Sequence, residues 1–263
     1  MKWYRVITVL TAAFLFSSCA LFKPSKELEI IPAEKAPEVR NLLSAIQSKN
    51  DTLKNFKGIG KIKVWQNGII QVDQRVAWIG EKPVKLSIAV LISGYPAIKL
   101  ATDGKWLYYL ETRGDDTVFK KIAASDPSLK NIISIPITSS DIVMLLAGGI
   151  PLRKFDAIDV IEDESGNGFA LVLKAKWRGI QEKIYFDESG SQVRQIEIFN
   201  RSGALQYRAE IENLRSVSGY QVPFRLKLST GEGADFLLDI NRYWVNVELP
   251  ASAFVLAPPE QGS

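Results

Sequence analysis

The chain has 263 residues, 46% of them hydrophobic and 24% charged, with a formal net charge of +4 at neutral pH. So mild a balance argues against the strongly basic footprint of a nucleic-acid binder, and a single cysteine excludes an intramolecular disulfide. The complete lack of histidine removes Ser-His-Asp and Cys-His catalytic arrangements and histidine-based zinc sites together.

Residues 1–18 carry Lys2 and Arg5, then an apolar run from Val6 to Phe16, then Ser17 and Ser18. A basic start, a short apolar stretch and small residues are the layout of a cleavable secretory signal peptide. The run is shorter than the roughly 20 residues that span a bilayer. Cys19 follows directly, and the segment resembles the lipobox of bacterial lipoproteins, which implies cleavage before Cys19 and acylation of that residue. The bland alternative is a core cysteine that happens to fall there. Several acyl chains hold a soluble domain on a bilayer durably. Ala20, rather than an aspartate, follows the cysteine, and the resemblance then implies sorting to the outer membrane with the domain facing the periplasm. Residues 19–36 are charged and carry Pro24 and Pro32, as a tether would. One folded domain, residues 37–263, is expected after it.

Pro37 opens a helix over residues 37–49, since Val39, Leu42, Leu43 and Ile46 recur at helical spacing. Strands are then expected over residues 60–65, 69–79, 85–92, 97–101, 105–111 and 117–122. Asn67-Gly68 marks a two-residue hairpin turn, where both residues need positive φ. A short helix is expected over residues 127–133. Thr138 and Asp141 have the spacing of a capping box ahead of Ile142, Leu145 and Leu146, and Gly148-Gly149 stops that helix before Pro151. From there, turns at Gly166-Asn167-Gly168, Ser189-Gly190, Ser202-Gly203, Ser218-Gly219 and Gly231-Glu232-Gly233 separate strands of one-sided apolar alternation. Such a pattern describes an antiparallel sheet packed on one face. The fold class is therefore mostly β: a curled antiparallel sheet with a few helices over its concave apolar face.

A large curled sheet under so few helices leaves room for an apolar cavity, and burial alone binds apolar guests there. The candidate lining residues are Trp65, Trp78, Leu86, Ile88, Trp106, Tyr108, Ile142, Leu145 and Leu146. The competing reading is that they fill an ordinary core. The segment Leu91-Ile92-Ser93-Gly94-Tyr95-Pro96 is unusually apolar for a turn. Leu91, Ile92 and Tyr95 either finish a buried strand or form an exposed tip that touches a membrane or partner. Adjacent acids at Asp115-Asp116 and Glu162-Asp163-Glu164 lie beside glycines and read as solvated turns. No catalytic residue, metal ligand or cofactor motif is assigned.

Three segments resemble the LolA/LolB superfamily of periplasmic lipoprotein carriers and outer-membrane lipoprotein receptors. They are residues 95–109 around Asp103-Gly104, residues 135–151 from Ile135-Pro136 through Gly148-Gly149, and residues 244–256 from Trp244 to Leu256. The resemblance implies a half-open β-barrel of about eleven strands, capped by helices, with an apolar cavity for acyl chains. It also implies a protruding loop used in membrane transfer, which would fall at residues 91–96, although the family's loop sequence is absent here. The expected function is lipid-anchored binding of acylated proteins or lipids, with a periplasmic carrier as a possible partner. The second class is a structural envelope lipoprotein with the same fold and a filled cavity. The third, an enzyme such as a hydrolase, lacks a nucleophile motif.

Overall fold

A computed structural model describes residues 37–259, apart from 115, 164, 165 and 167. The expected signal peptide, Cys19 and the tether lie outside the described residues. Helix α1 (Pro37–Ser48) precedes six strands: β1 (Asn55–Gln66), β2 (Ile69–Glu81), β3 (Lys85–Ile92), β4 (Tyr95–Thr102), β5 (Trp106–Arg113) and β6 (Asp116–Ala123). Helices α2 (Lys130–Ile133) and α3 (Ser139–Leu146) follow. Then come β7 (Ala157–Glu162), β8 (Phe169–Ala175), β9 (Gly179–Phe186), β10 (Val193–Phe199) and β11 (Leu205–Glu212). The small hairpin β12 (Arg215–Val217) and β13 (Tyr220–Val222) leads to β14 (Arg225–Ser229) and β15 (Ala234–Val245).

Thirteen strands form one open antiparallel sheet, in the order β6-β5-β4-β3-β2-β1-β15-β14-β11-β10-β9-β8-β7. The count exceeds the eleven that the resemblance implies, while the curled, unclosed architecture with few helices agrees with the expected fold class. Two meanders, β1–β6 and β7–β11, are joined in the middle by the last two strands of that sheet. The chain between β6 and β7 runs from one edge of the sheet to the other, carrying α2 and α3 over the concave face.

Local chemistry sets these elements. Asn67 and Gly68 take φ of 51° and 78° and close β1 onto β2 as a tight hairpin. Thr138 accepts a hydrogen bond from the Asp141 amide at 3.3 Å and caps α3. The Asp126 carboxylate adds a second acceptor, 2.9 Å from the Ser140 amide. The capping box is only half formed, because the Asp141 carboxylate turns into the core instead. Gly148 ends α3 at φ 74°, and a Cβ there would sit 2.0 Å from the Gln221 carbonyl. Only glycine fits so close an approach. The expected helix over residues 127–133 shrinks to its second half, since Ser128 pairs with Thr138 as an isolated bridge.

Period-two alternation divides the sheet into faces. One inner row runs Gly58, Trp78, Ile88, Leu100, Tyr109 across β1 to β5, and the next runs Gly60, Val76, Val90, Ile98, Glu111. In the other meander the inner positions are Ile158, Leu173, Glu182, Ile198 and Tyr207 in one row and Leu171, Ile184, Ile196 and Ala209 in another. Helix α1 buries Val39, Leu43 and Ile46, three of the four residues of the expected stripe, and leaves Leu42 half-buried. At its end, the Asn50 amide donates to the Ala147 and Gln221 carbonyls at 2.8 and 2.7 Å, tying α1 to α3 and the small hairpin.

Candidate binding site

The inner face of β1–β4 does not meet α2 and α3 in full contact. A hollow lies between them, lined by apolar side chains alone: Ile62, Val76, Trp78, Ile88, Val90, Ile98, Leu100, Phe236 and Leu238 from the sheet, and Leu129, Ile132, Ile133, Ile142 and Leu146 from the helical segment. Its volume is about 680 Å³ including the opening to solvent, of which about 70 Å³ is wide enough to seat a water-sized sphere. It is a narrow slot. Carbon walls give water no partners, so such a space stays dry and favours hydrocarbon.

Trp78 shapes the floor. It is buried at 3% exposure, and a Cβ on Gly58 would come within 2.2 Å of its ring. The missing side chain at Gly58 lets the indole lie against β1 and keeps it from standing up into the slot. The Trp78 Nε1 is buried without a hydrogen-bond partner. Phe56 lies over Gly80 in the same way and stacks on Tyr243 at 5.5 Å. Tyr243 in turn donates to the Leu146 carbonyl at 2.7 Å, fixing the end of α3 to β15. The roof is less firmly held: α2 has four residues, none buried, its N-cap Leu129 offers no side-chain cap, and the Lys130 amide makes only a long bond of 3.3 Å to the Ser128 hydroxyl.

Four of the expected lining residues, Trp78, Ile88, Ile142 and Leu146, meet around the slot. Leu86 and Leu145 are fully buried on the core side but do not line it. Trp65, Trp106 and Tyr108 lie on the outer face, which corrects the expectation for them. Tyr108 pairs with Ala101, whereas Leu100 in the slot pairs with Tyr109, so a shift of one residue puts each aromatic on the wrong side. Tyr108 donates to Asp103 at 3.2 Å there, and the Lys121 ammonium lies 4.5 Å from the Trp106 ring. Val76, Val90 and Ile98 were not singled out in the sequence. Counting in twos from Trp78 through the Ser93-Gly94 turn would have found them. In the β3–β4 turn, Ile92 and Tyr95 are exposed and Leu91 is half-buried, finishing its strand.

Beyond α3 the inner face carries charge instead. Arg153 donates to Asp141 through both terminal nitrogens, one at 2.9 Å, and its amide donates to Glu182 Oε2 at 2.9 Å. Tyr207 donates to the same Asp141 at 2.8 Å. Burial pushes the Glu182 carboxyl up to about 8, against the lowering pull of the Arg153 amide and charge, and its Oε1 has no partner. Burial likewise raises the Tyr207 hydroxyl well above its ordinary value, and the Asp141 charge adds to this. The network ties α3 to β9 and β11. Among the described residues no group of three His, Cys, Asp or Glu side chains is placed to hold a metal.

No family model matches the chain. No curated protein matches it either. Solved structures do. A DUF1329 family protein from Desulfovibrio piger superposes with a TM-score of 0.58 at 11% identity, covering 81% of this chain and 94% of that one. A LolA superfamily protein from Nitrosomonas europaea superposes at 0.53 and 15% identity, covering 82% and 97%. A putative outer membrane lipoprotein-sorting protein domain from Vibrio parahaemolyticus reaches 0.44 at 10% identity, over 82% and 95%. The chain has the LolA-like fold: a large curled antiparallel sheet, not closed into a barrel, with few helices.

Proposed function

We propose that this chain is a lipid-anchored envelope lipoprotein that takes the acyl chain of a lipoprotein or lipid into the slot between β1–β4 and the α2–α3 segment. In this reading Cys19 carries the anchor, residues 19–36 are the tether, and residues 37–263 form the carrier domain at the periplasmic face of the outer membrane. A periplasmic carrier protein is the partner that would deliver cargo. The observation that carries the reading is a slot walled by carbon alone beneath a short, weakly capped roof. Burial supplies about 0.8 kcal/mol per methylene, so no catalytic group is required. The slot is too narrow for a long chain as it stands, and α2 is the element that must lift.

Native mass spectrometry of the Cys19→Ala chain mixed with palmitate tests this. One bound palmitate is expected, and Val90→Trp, which fills the slot, should abolish it. Absence of uptake, or equal uptake by Val90→Trp, overturns the reading. It would leave the alternative that the narrow slot favours, a structural lipoprotein of an envelope assembly with no cargo. The β3–β4 turn belongs to the same proposal: Ile92→Asp or Tyr95→Asp should impair transfer of an acylated client while the melting temperature stays put. Unfolding of both variants would instead assign these residues to the core.

A further inference from the structure

The most exposed large apolar side chains among the described residues are Trp177 at 88%, Tyr95 at 76% and Ile69 at 66%. They come from distant parts of the sequence, and each sits in or beside a hairpin turn. In an antiparallel sheet, successive turns alternate between two rims. The pairings Gln66 with Ala234, Arg208 with Ser229 and Phe199 with Leu205 fix the direction of each strand. They place the β1–β2, β3–β4 and β8–β9 turns on a single rim. Ile70 and Ile92 add to the exposed apolar surface of that rim. The opposite rim differs. Its turns at residues 82–84, 103–105 and 187–192 hold none of the exposed large apolar side chains, and those beside that rim, Ile122, Trp106 and Trp244, are less exposed, at 52%, 38% and 38%.

Charge adds a second, independent observation. Trp177 stands between Lys176 and Arg178, with the Lys176 ammonium 5.5 Å from its ring centroid. The Asp156 carboxylate at this turn accepts from the Lys176 amide at 2.7 Å, and Asp116 and Glu232 lie in other turns of the same rim. Arg201 lies in the β10–β11 turn, further along the same rim. An exposed indole flanked by cations is the composition that settles at a membrane–water interface, where the ring fits the headgroup layer and the cations meet lipid phosphates. Burial of the ring in the protein cannot explain it.

We propose that this rim docks on an anionic bilayer surface, with Trp177, Tyr95 and the Ile69–Ile70 pair reaching into the headgroup layer at three separated points. The inference extends the tip reading of the β3–β4 turn, and it needs no guest in the slot. It also places the slot: Val90 precedes Ile92 by two residues on the same face of β3, so the lining of the hollow begins one side-chain row from the docking rim.

The chain's only cysteine is Cys19, so the full-length Cys19→Ser chain accepts a single thiol label elsewhere. An environment-sensitive fluorophore is attached at Ile70→Cys, Trp177→Cys or, on the opposite rim, Ser189→Cys. Each is mixed with vesicles of phosphatidylcholine alone or with about one third phosphatidylglycerol. The labels at 70 and 177 should shift to the blue with the anionic vesicles, and the label at 189 should not. The pair Lys176→Glu and Arg178→Glu, made in the Ile70→Cys chain, should raise the lipid concentration for half-maximal response at least fivefold. An equal shift at position 189, or none at 70 and 177, overturns the proposal. Palmitate uptake is read separately with Val90→Trp, so failure of the rim and failure of the slot are distinguishable.

Discussion

The two meanders share one alternation rule but use their inner faces differently. Across β7–β11 every inner position meets another side chain: Leu171, Leu173, Ile184, Ile196 and Tyr207 are fully buried, and Glu182 and Tyr207 bind the Asp141–Arg153 pair. Across β1–β4 the inner residues are equally apolar, yet α2 leaves a gap above them. The outer faces differ less: β7–β11 carry ion pairs such as Lys174–Asp159 and Arg208–Glu197, and β1–β3 carry Lys61–Asp73 alongside an exposed Ile59 near Ala77, Ile79 and Ala89. One half ties α3 down through the Asp141–Arg153 network, while the other, whose β2 and β3 also touch α3, leaves α2 loosely fastened above it.

If that contrast is sound, the largest effect should come from the charged network. Asp141→Asn leaves Arg153 partly buried and short of its counter-charge, and should cost about 3 kcal/mol in urea unfolding, at the low end for a broken buried pair because Arg153 keeps some solvent. Truncations should separate the halves next. Ile196→Ala opens a cavity in a packed layer and should cost about 2–3 kcal/mol. Val90→Ala, which only widens an existing void, should cost about 1 kcal/mol. Equal losses would mean that the slot is as tightly packed as the other half.

Glu182 supplies a smaller, pH-dependent effect. Its folded-state carboxyl titrates near 8, above the ordinary value of 4.5. The folded protein therefore keeps a proton that the unfolded chain releases. Its contribution is full below about pH 4.5 and is lost as pH rises through about 8. Glu182→Gln should flatten that decline, seen as a smaller loss of stability between about pH 5 and about pH 8.5 in denaturation. A matching slope in the variant would assign the dependence to another group. The smallest effect should come from filling: Val76→Ile should change stability by less than about 1 kcal/mol, since the slot has room for one methylene, whereas Ala209→Leu in the packed half should cost about 2 kcal/mol.

Much of this frame was legible in the sequence because it rests on local rules. The α1 stripe, the Asn67-Gly68 hairpin and the Thr138 cap each follow from a few adjacent residues. Parity was the first thing that escaped. β5 reads Trp106-Leu107-Tyr108-Tyr109, with large side chains at both parities, and only the register with Leu100 decides which face is inner. Long-range pairing was the second. Glu182 falls at the inner parity set by Ile184 and Phe186, which flags an odd residue, but nothing nearby in sequence names Arg153 as its partner. Asp141 shows the limit of a local motif: its spacing marks a capping box, and tertiary contacts take its carboxylate elsewhere.

The placement of β15 bears on how such a chain is made. The central seam of the sheet, Phe56 against Val245 through Gln66 against Ala234, joins the first strand to the last. A polypeptide that emerges from its amino end presents β1 long before its neighbour exists, and the meanders can zip together only once residue 245 has arrived. Until then a bare strand waits with its amide and carbonyl groups open. Until β15 arrives, something other than the native partner must shield that edge. A stop codon anywhere before residue 234 would leave two exposed borders in the middle of the molecule and make it sticky as well as incomplete.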